Sequence, residues 1–161
     1  MARKPAARHP ALAIKRVYAA PGAGDGVRVL VDRLWPRGLS KDKAKIDLWL
    51  RAIAPSDALR RRLHANLEAW DAFVVDYGLE LAQEPAASAA RDLLARIRQG
   101  PVTLLYAGRN EVRNNASVLK AWLEARLPSA PGRRQTAASP GVRRPKAKAA
   151  KRRGPGAKAS A

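Results

Sequence analysis

Three stretches of this chain put residues able to do chemistry at close spacing. The first is Asp32-Arg33-Leu34-Trp35-Pro36-Arg37-Gly38, which follows directly on the apolar run at residues 27–31. Guanidinium forks match the geometry of phosphate and carboxylate groups. Trp35 precedes a proline, which pushes it away from helical geometry. Gly38 permits a turn at positive φ. The result is a stiff loop in which Arg33 and Arg37 hold an anion, Asp32 orients an arginine or serves as a base, and Trp35 walls the pocket. A plain structural role is the alternative: Asp32 pairs with Arg33 or Arg37, and Trp35 plugs the core.

The second stretch repeats the pattern. The apolar run "PVTLLYAG" opens into Arg109, Asn110 and Glu111, then Arg113, Asn114 and Asn115. In open α/β sheets ligands bind beyond the carboxyl ends of the strands. If the strands that end near Asp32 and Tyr106 are parallel neighbours, the two polar loops meet. Arg33, Arg37, Arg109, Asn114 and Asn115 then form one anion site beside a helix N-terminus, whose dipole favours negative charge. Asn114 or Asn115 can equally be a simple N-cap. The third stretch is His64, which follows Arg60, Arg61 and Arg62 on a helix. Histidine titrates near neutral pH, so His64 joins Asp32 as a catalytic candidate. "PGAGDG" at residues 21–26 lies between two strands with no helix opening after it, so it reads as a turn and not as a dinucleotide-binding loop.

The elements that must position these residues are legible in the hydrophobic pattern. Residues 14–18 alternate and read as a first strand; "VRVLVDRL" reads as a second, buried on both faces. A hairpin across Asp25-Gly26 could join them. Ile46, Leu50 and Ile53 recur at helical spacing up to Pro55, and Ser56 suits an N-cap for the next helix. Leu67, Trp70, Val74, Tyr77 and Leu81 make one helical stripe; Ala90, Leu93, Leu94 and Ile97 make another. Gly100 suits the C′ position after that helix. "PVTLLYAG" is the third strand. A last helix over residues 115–127 carries Leu119, Trp122, Leu123 and Leu127. The order predicts a small α/β domain, three-layer-like, with a few-stranded sheet covered by helices.

Charge divides the chain. Its net charge is +19, yet residues 14–128 carry 19 basic and 13 acidic residues, a net of +6. Residues 1–13 form a basic arm expected to be disordered. Residues 129–161 hold ten basic residues and no acid: Arg133, Arg134, Arg143, Arg144, Lys146, Lys148, Lys151, Arg152, Arg153 and Lys158. That segment has no large apolar residue except Val142, so it is expected to be a disordered tail. The chain has no cysteine, which excludes disulfides, thiolate nucleophiles and Cys-ligated zinc. With only His9 and His64, no metal site and no cofactor is expected, although carboxylates can hold magnesium. No apolar run reaches the roughly 18 residues that span a membrane, and the N-terminus lacks a secretory h-region; a cytoplasmic protein is expected.

"RVLVDRLWPRGLSKDKAKIDLWLRAIAPSDALRRRLH", "EAWDAFVVDYGLEL" and "GPVTLLYAGRNEVRNNASVL" together resemble the YeaO-like family, a bacterial family of domains of unknown function. The resemblance covers about residues 14–127, and "VDRLWPRG" with "APSDALR" carries it. It implies a compact cytoplasmic α/β domain and no established activity. Asp32, Arg33, Trp35, Pro36, Arg37, Gly38, Trp49, His64 and Trp70 match the family pattern. Family members commonly have histidine where the last helix begins, and distant relatives have Cys-His-Arg chemistry there. Here Asn114 and Asn115 stand in that place, so a thiol or histidine mechanism is not carried over. The basic tail lies outside the pattern and is similar only in composition to linker-histone tails.

Two classes of function follow. One is a pocket for a small phosphate- or carboxylate-type anion at the strand ends, with an enzyme of unknown reaction as one form of it. The other is non-specific association with DNA or RNA through the tail, whose lysines and arginines neutralise phosphates without reading sequence. No membrane partner is expected.

Overall fold

A computed structural model describes residues 12–128. Four parallel strands form one sheet: β1 (Leu12–Arg16), β2 (Val27–Leu30), β3 (Leu48–Trp49) and β4 (Val102–Tyr106), in the order β1-β4-β2-β3. All five residues of β4 are buried. A strand apolar on both faces needs a neighbour on each edge and cover above and below. Ile14 and Val29 therefore flank Leu104 in register. This overturns the hairpin across Asp25-Gly26: β1 and β2 run parallel, with β4 between them.

The sheet separates two cores, which its alternating side chains reveal. Val29, Val31 and Leu104 belong to the larger; Leu30 and Leu105 to the smaller. Helices α2 (Asp57–Ala65), α3 (Trp70–Leu81), α4 (Ala86–Gln99) and α5 (Asn115–Glu124) cover the larger core. Among the described residues the other face carries a four-residue helix, α1 (Lys41–Ala44), and the half-buried Trp35, Leu39 and Trp49. The expected three-layer-like α/β domain is present, with unequal layers.

Ser56 caps α2 as expected, accepting the Leu59 N–H at 3.2 Å. The helix expected through Ile46, Leu50 and Ile53 is absent. The Asp47 N–H instead donates to the Arg28 carbonyl and the Leu50 N–H to the Leu30 carbonyl, both at 2.9 Å, which binds this segment to β2 as β3. Ile46 then enters the smaller core and Ile53, in a 3₁₀ turn, the larger. Helical spacing would have placed both on one face. In α3 the buried stripe is Phe73, Tyr77 and Leu81, whereas Leu67 and Val74 are exposed. A 3₁₀ turn over Leu67–Ala69 precedes the helix, so Leu67 falls outside its register. Gly100 ends α4 with extended backbone and makes no use of glycine's left-handed freedom. β1 lies two residues earlier than expected, and α5 ends at Glu124 although Leu127 is still buried. No helix among the described residues is long and apolar enough to cross a membrane. Of the arm expected to be disordered at residues 1–13, Leu12 and Ala13 instead belong to β1, paired with Val102 and Thr103, and residues 1–11 lie outside the described residues, as does the tail at 129–161.

Candidate functional site

β2 and β4 end side by side, and the chain leaves them in opposite directions. From β2 it passes to β3; from β4 it enters α5, which packs on β4, β1 and α3. Such a divergence opens a crevice beyond the strand ends, the usual ligand position in open α/β sheets. Asp32 stands in it. Its Oδ2 accepts the Ala107 N–H at 2.8 Å, and its Oδ1 accepts the Asn115 side-chain amide at 3.0 Å. The same amide reaches the Val31 carbonyl at 3.0 Å, and the Asp32 carbonyl takes the Trp49 indole N–H at 2.8 Å. Burial pushes the Asp32 carboxyl above its ordinary value; the Ala107 N–H, the Asn115 amide and the Arg60 charge pull the other way. With both oxygens engaged, Asp32 ties two loops together. It pairs with neither Arg33 nor Arg37 by hydrogen bond.

Arg33 turns to a cavity of about 480 Å³ lined by Arg51, Ser56, Glu80, Gln83 and Glu84 among others. The acids on that lining have their own donors. Glu80 accepts the Ser56 N–H at 2.8 Å and its hydroxyl at 2.5 Å; Glu84 accepts Ser88 and Arg91. The arginines are less committed. Arg33 has one ion pair, to Asp57 at 3.5 Å, and Arg51 lies over the Trp49 ring at 5.1 Å. Arg60 reaches Asp57 at 3.4 Å, while its buried Nε lacks a hydrogen-bond partner among the described residues. The Tyr77 hydroxyl, fully buried, donates to the Ile53 carbonyl at 2.7 Å. Burial, with Asp32 and Glu80 nearby, keeps that phenol protonated.

The remaining sequence candidates disperse. Arg37 and Arg109 are exposed, and neither lines the cavity of Arg33. The Arg37 carbonyl accepts the Tyr18 hydroxyl at 3.1 Å. Asn114 is the N-cap of α5, accepting the Ser117 N–H at 2.8 Å and donating to the Asn110 carbonyl at 3.0 Å. Asn115 does not cap; it is the bridge to Asp32. Trp35 donates to the Leu39 carbonyl at 2.7 Å and meets Trp49 edge-on at 5.3 Å. It walls a different cavity from the one Arg33 lines. His64 is exposed in the last turn of α2 and lines neither cavity. Among the described residues no three His, Cys, Asp or Glu side chains are grouped to hold a metal ion. Sequence reasoning missed Arg51, Arg60 and Tyr77. Tyr77 was visible only as one member of an apolar stripe. Arg51 carried no signal, because it lies in a stretch that reads as helix.

A family model described as the inactive DUF488-N3 subclade matches residues 11–142. The match runs beyond Pro128, into the segment that composition assigns to the tail. The uncharacterised protein YeaO of Escherichia coli (strain K12) is 40% identical over 111 residues, which is 69% of this chain and 95% of that protein. The uncharacterised proteins Rv3073c of Mycobacterium tuberculosis (strain ATCC 25618 / H37Rv) and Mb3100c of Mycobacterium bovis (strain ATCC BAA-935 / AF2122/97) are each 38% identical over 119 residues, 74% of this chain and 98% of theirs. No solved structure matches.

Proposed function

The chain belongs to the YeaO-like family and its inactive DUF488-N3 subclade, and on that premise we propose that the folded domain is a non-catalytic module that binds a small phosphate- or carboxylate-type anion beside the end of β2. One observation carries the reading. Around the cavity of Arg33 and Arg51 the acids Glu80 and Glu84 are satisfied by neighbouring donors, while the two guanidinium groups keep most of theirs. Each fork has five N–H donors, and an unspent fork on a concave surface suits a planar or tetrahedral oxyanion. Asp32 positions: it fixes Ala107 and Asn115, and with both oxygens engaged it is a poor base. The absence of cysteine removes thiol chemistry.

Titration of the full chain with inorganic phosphate and with succinate, followed by calorimetry, tests this. Arg33→Gln and Arg51→Gln should each weaken binding about tenfold, since a charged hydrogen bond contributes about 1.5–3 kcal/mol. Arg37→Gln and Arg109→Gln should leave it unchanged. Equal affinity in the wild type and the Arg33/Arg51 double variant would remove the site. Loss with Arg37→Gln and Arg109→Gln instead would move it to the outer loops.

Charge distribution favours a second reading, association with nucleic acid through residues 129–161. Ten basic residues there face no acid. If roughly five phosphate contacts form on duplex DNA, a fourfold rise in salt cuts affinity several hundredfold. The segment has no aromatic residue, so single strands gain no stacking advantage. Replacing its lysines and arginines by glutamine should flatten the salt response; an unaltered slope would exclude the tail.

A further inference from the structure

The thin side of the sheet carries a second hollow. Its walls follow from local geometry. Pro36 is buried and Gly38 has φ +72°, so the chain turns back and the Leu39 carbonyl meets the Trp35 indole N–H. Ser40 caps α1, accepting the Lys43 N–H, and Lys45 adopts a left-handed φ of 48° that sends the chain into β3. Four large apolar side chains, Trp35, Leu39, Leu48 and Trp49, are left half-buried around one cavity of about 650 Å³. Both tryptophans pack against the smaller core and leave part of their rings uncovered at the cavity.

The indole donors are already used, on the Leu39 and Asp32 carbonyls. The rings therefore offer the cavity apolar surface without a donor. Ser40 and the buried Ile46 also line it, and its two charged groups, Lys41 and Asp47, are of opposite sign. Lys41 has no hydrogen-bond or ion-pair partner among the described residues. One Asp47 oxygen accepts the Arg28 N–H at 2.8 Å, and the other has no partner among the described residues. An aromatic-lined cavity of this size with a few polar groups has the general form of a small-molecule site. Its balanced charge sets it apart from the arginine cavity: a free phosphate gains at Lys41 what it loses at Asp47.

We propose that the hollow lined by Trp35 and Trp49 binds a flat aromatic ring whose polar end presents both a donor, to Asp47, and an acceptor, to Lys41. A nucleobase has that chemistry along its edge, and an aromatic amino acid has it in its ammonium and carboxylate groups. Aromatic rings stack on indole faces or meet their edges, the arrangement that Trp35 and Trp49 already adopt with each other.

The chain has four tryptophans, so its indole N–H nuclear resonances form a four-peak reporter. The full chain is titrated with adenosine, L-tryptophan and L-phenylalanine, with inorganic phosphate and ribose as controls; unlabelled ligands leave the labelled protein signals separate. The peaks of Trp35 and Trp49, assigned by single Trp→Phe variants, should move saturably with at least one aromatic ligand, while those of Trp70 and Trp122 stay. Ribose should move none, and phosphate should leave the Trp35 peak in place, since only Trp49 lies under Arg51 of the other cavity. Lys41 and Asp47 are exposed, so Lys41→Gln and Asp47→Asn should fold, and an unchanged Trp70 peak checks this. Each variant should weaken binding about threefold to fivefold, as expected for one exposed charge. Parallel loss in both variants for the amino acids identifies the zwitterion; binding of adenosine alone identifies the base. Stationary Trp35 and Trp49 peaks with every aromatic ligand, four peaks moving together, or affinities untouched by both variants would overturn the proposal.

Discussion

Asp25 should make the fold acid-sensitive within a defined window. It sits before β2, at the opposite end of the sheet from Asp32. Its carboxylate accepts the Gly22 N–H at 2.9 Å, the Lys15 ammonium at 2.9 Å, and the Arg28 guanidinium. Arg28 is only 4% exposed and spends its other donors on the Lys45 and Ala44 carbonyls. These donors, the Gly22 N–H foremost, hold the Asp25 carboxyl down from 3.8 to about 2. A carboxyl depressed by folding contributes stability above its unfolded value, and that stability is lost as pH falls from about 4 towards 2. The full shift corresponds to roughly 2 kcal/mol at about 1.36 kcal/mol per unit. Lys15 is 29% exposed on its side chain, so water screens part of the interaction and about 1–2 kcal/mol remains. Asp32 opposes this trend. Its raised value gives a stability present in acid and lost as pH climbs through its folded-state titration. The Asp25 contribution is therefore read as a difference. Urea unfolding of the wild type and Asp25→Asn, at steps from about pH 6 to pH 2.5, should show a gap that closes by about 1–2 kcal/mol. A gap that stays constant across that range would refute the argument.

Three further outcomes are expected. Gly26→Ala should cost about 2–4 kcal/mol, because its Cβ would lie 2.0 Å from the Pro101 carbonyl oxygen and the site has φ +63°; an unchanged melting temperature would contradict this. Asn115→Ala removes the bonds to Asp32 and to the Val31 carbonyl and should cost about 2–4 kcal/mol, a reading that a loss below about 0.5 kcal/mol in denaturant would sink. His64→Ala should change stability by less than about 0.5 kcal/mol, since the side chain is exposed, and should leave phosphate affinity as it was; a fall in affinity would restore His64 to the site.

The parts of this fold that read directly from sequence are those whose burial is two-sided. β2 and β4 show as apolar runs because both faces are covered, and their parallel adjacency put Asp32 beside the β4 loop. Ser56 was legible because a cap acts within one turn. β3 was not, since its two residues become a strand only through bonds to the Arg28 and Leu30 carbonyls, which are distant in sequence. The spacing of Ile46 and Ile53 imitates a helix, yet they serve opposite faces of the sheet. The dispersal of the arginines was equally hidden. Arg33 leaves the chain next to Asp32 and meets Asp57, whereas Arg37, beyond Pro36, sits exposed on a turn. Such directions depend on which helix arrives above the strand end. Local pattern does not contain that information.

One residue lies between the two cavities. The Trp49 ring carries Arg51 of the arginine-lined cavity on one side, at 5.1 Å, and meets Trp35 of the aromatic-lined cavity edge-on at 5.3 Å. Its indole N–H is held by the Asp32 carbonyl, and the Asp32 side chain holds Ala107 and Asn115. A ring entering beside Trp35 can shift Trp49 only by disturbing one of these contacts. Coupling between sites requires an element that both ligands bias, and the Trp49–Asp32 bond is placed to be that element. An aromatic ligand that draws Trp49 towards Trp35 relieves Arg51 of its stacking contact and releases its fork to the anion, so each ligand should then favour the other. If Trp49 keeps its place, the two sites act independently, and the anion affinity measured with and without the aromatic ligand is the same. Removing the ring by Trp49→Leu should abolish any such coupling.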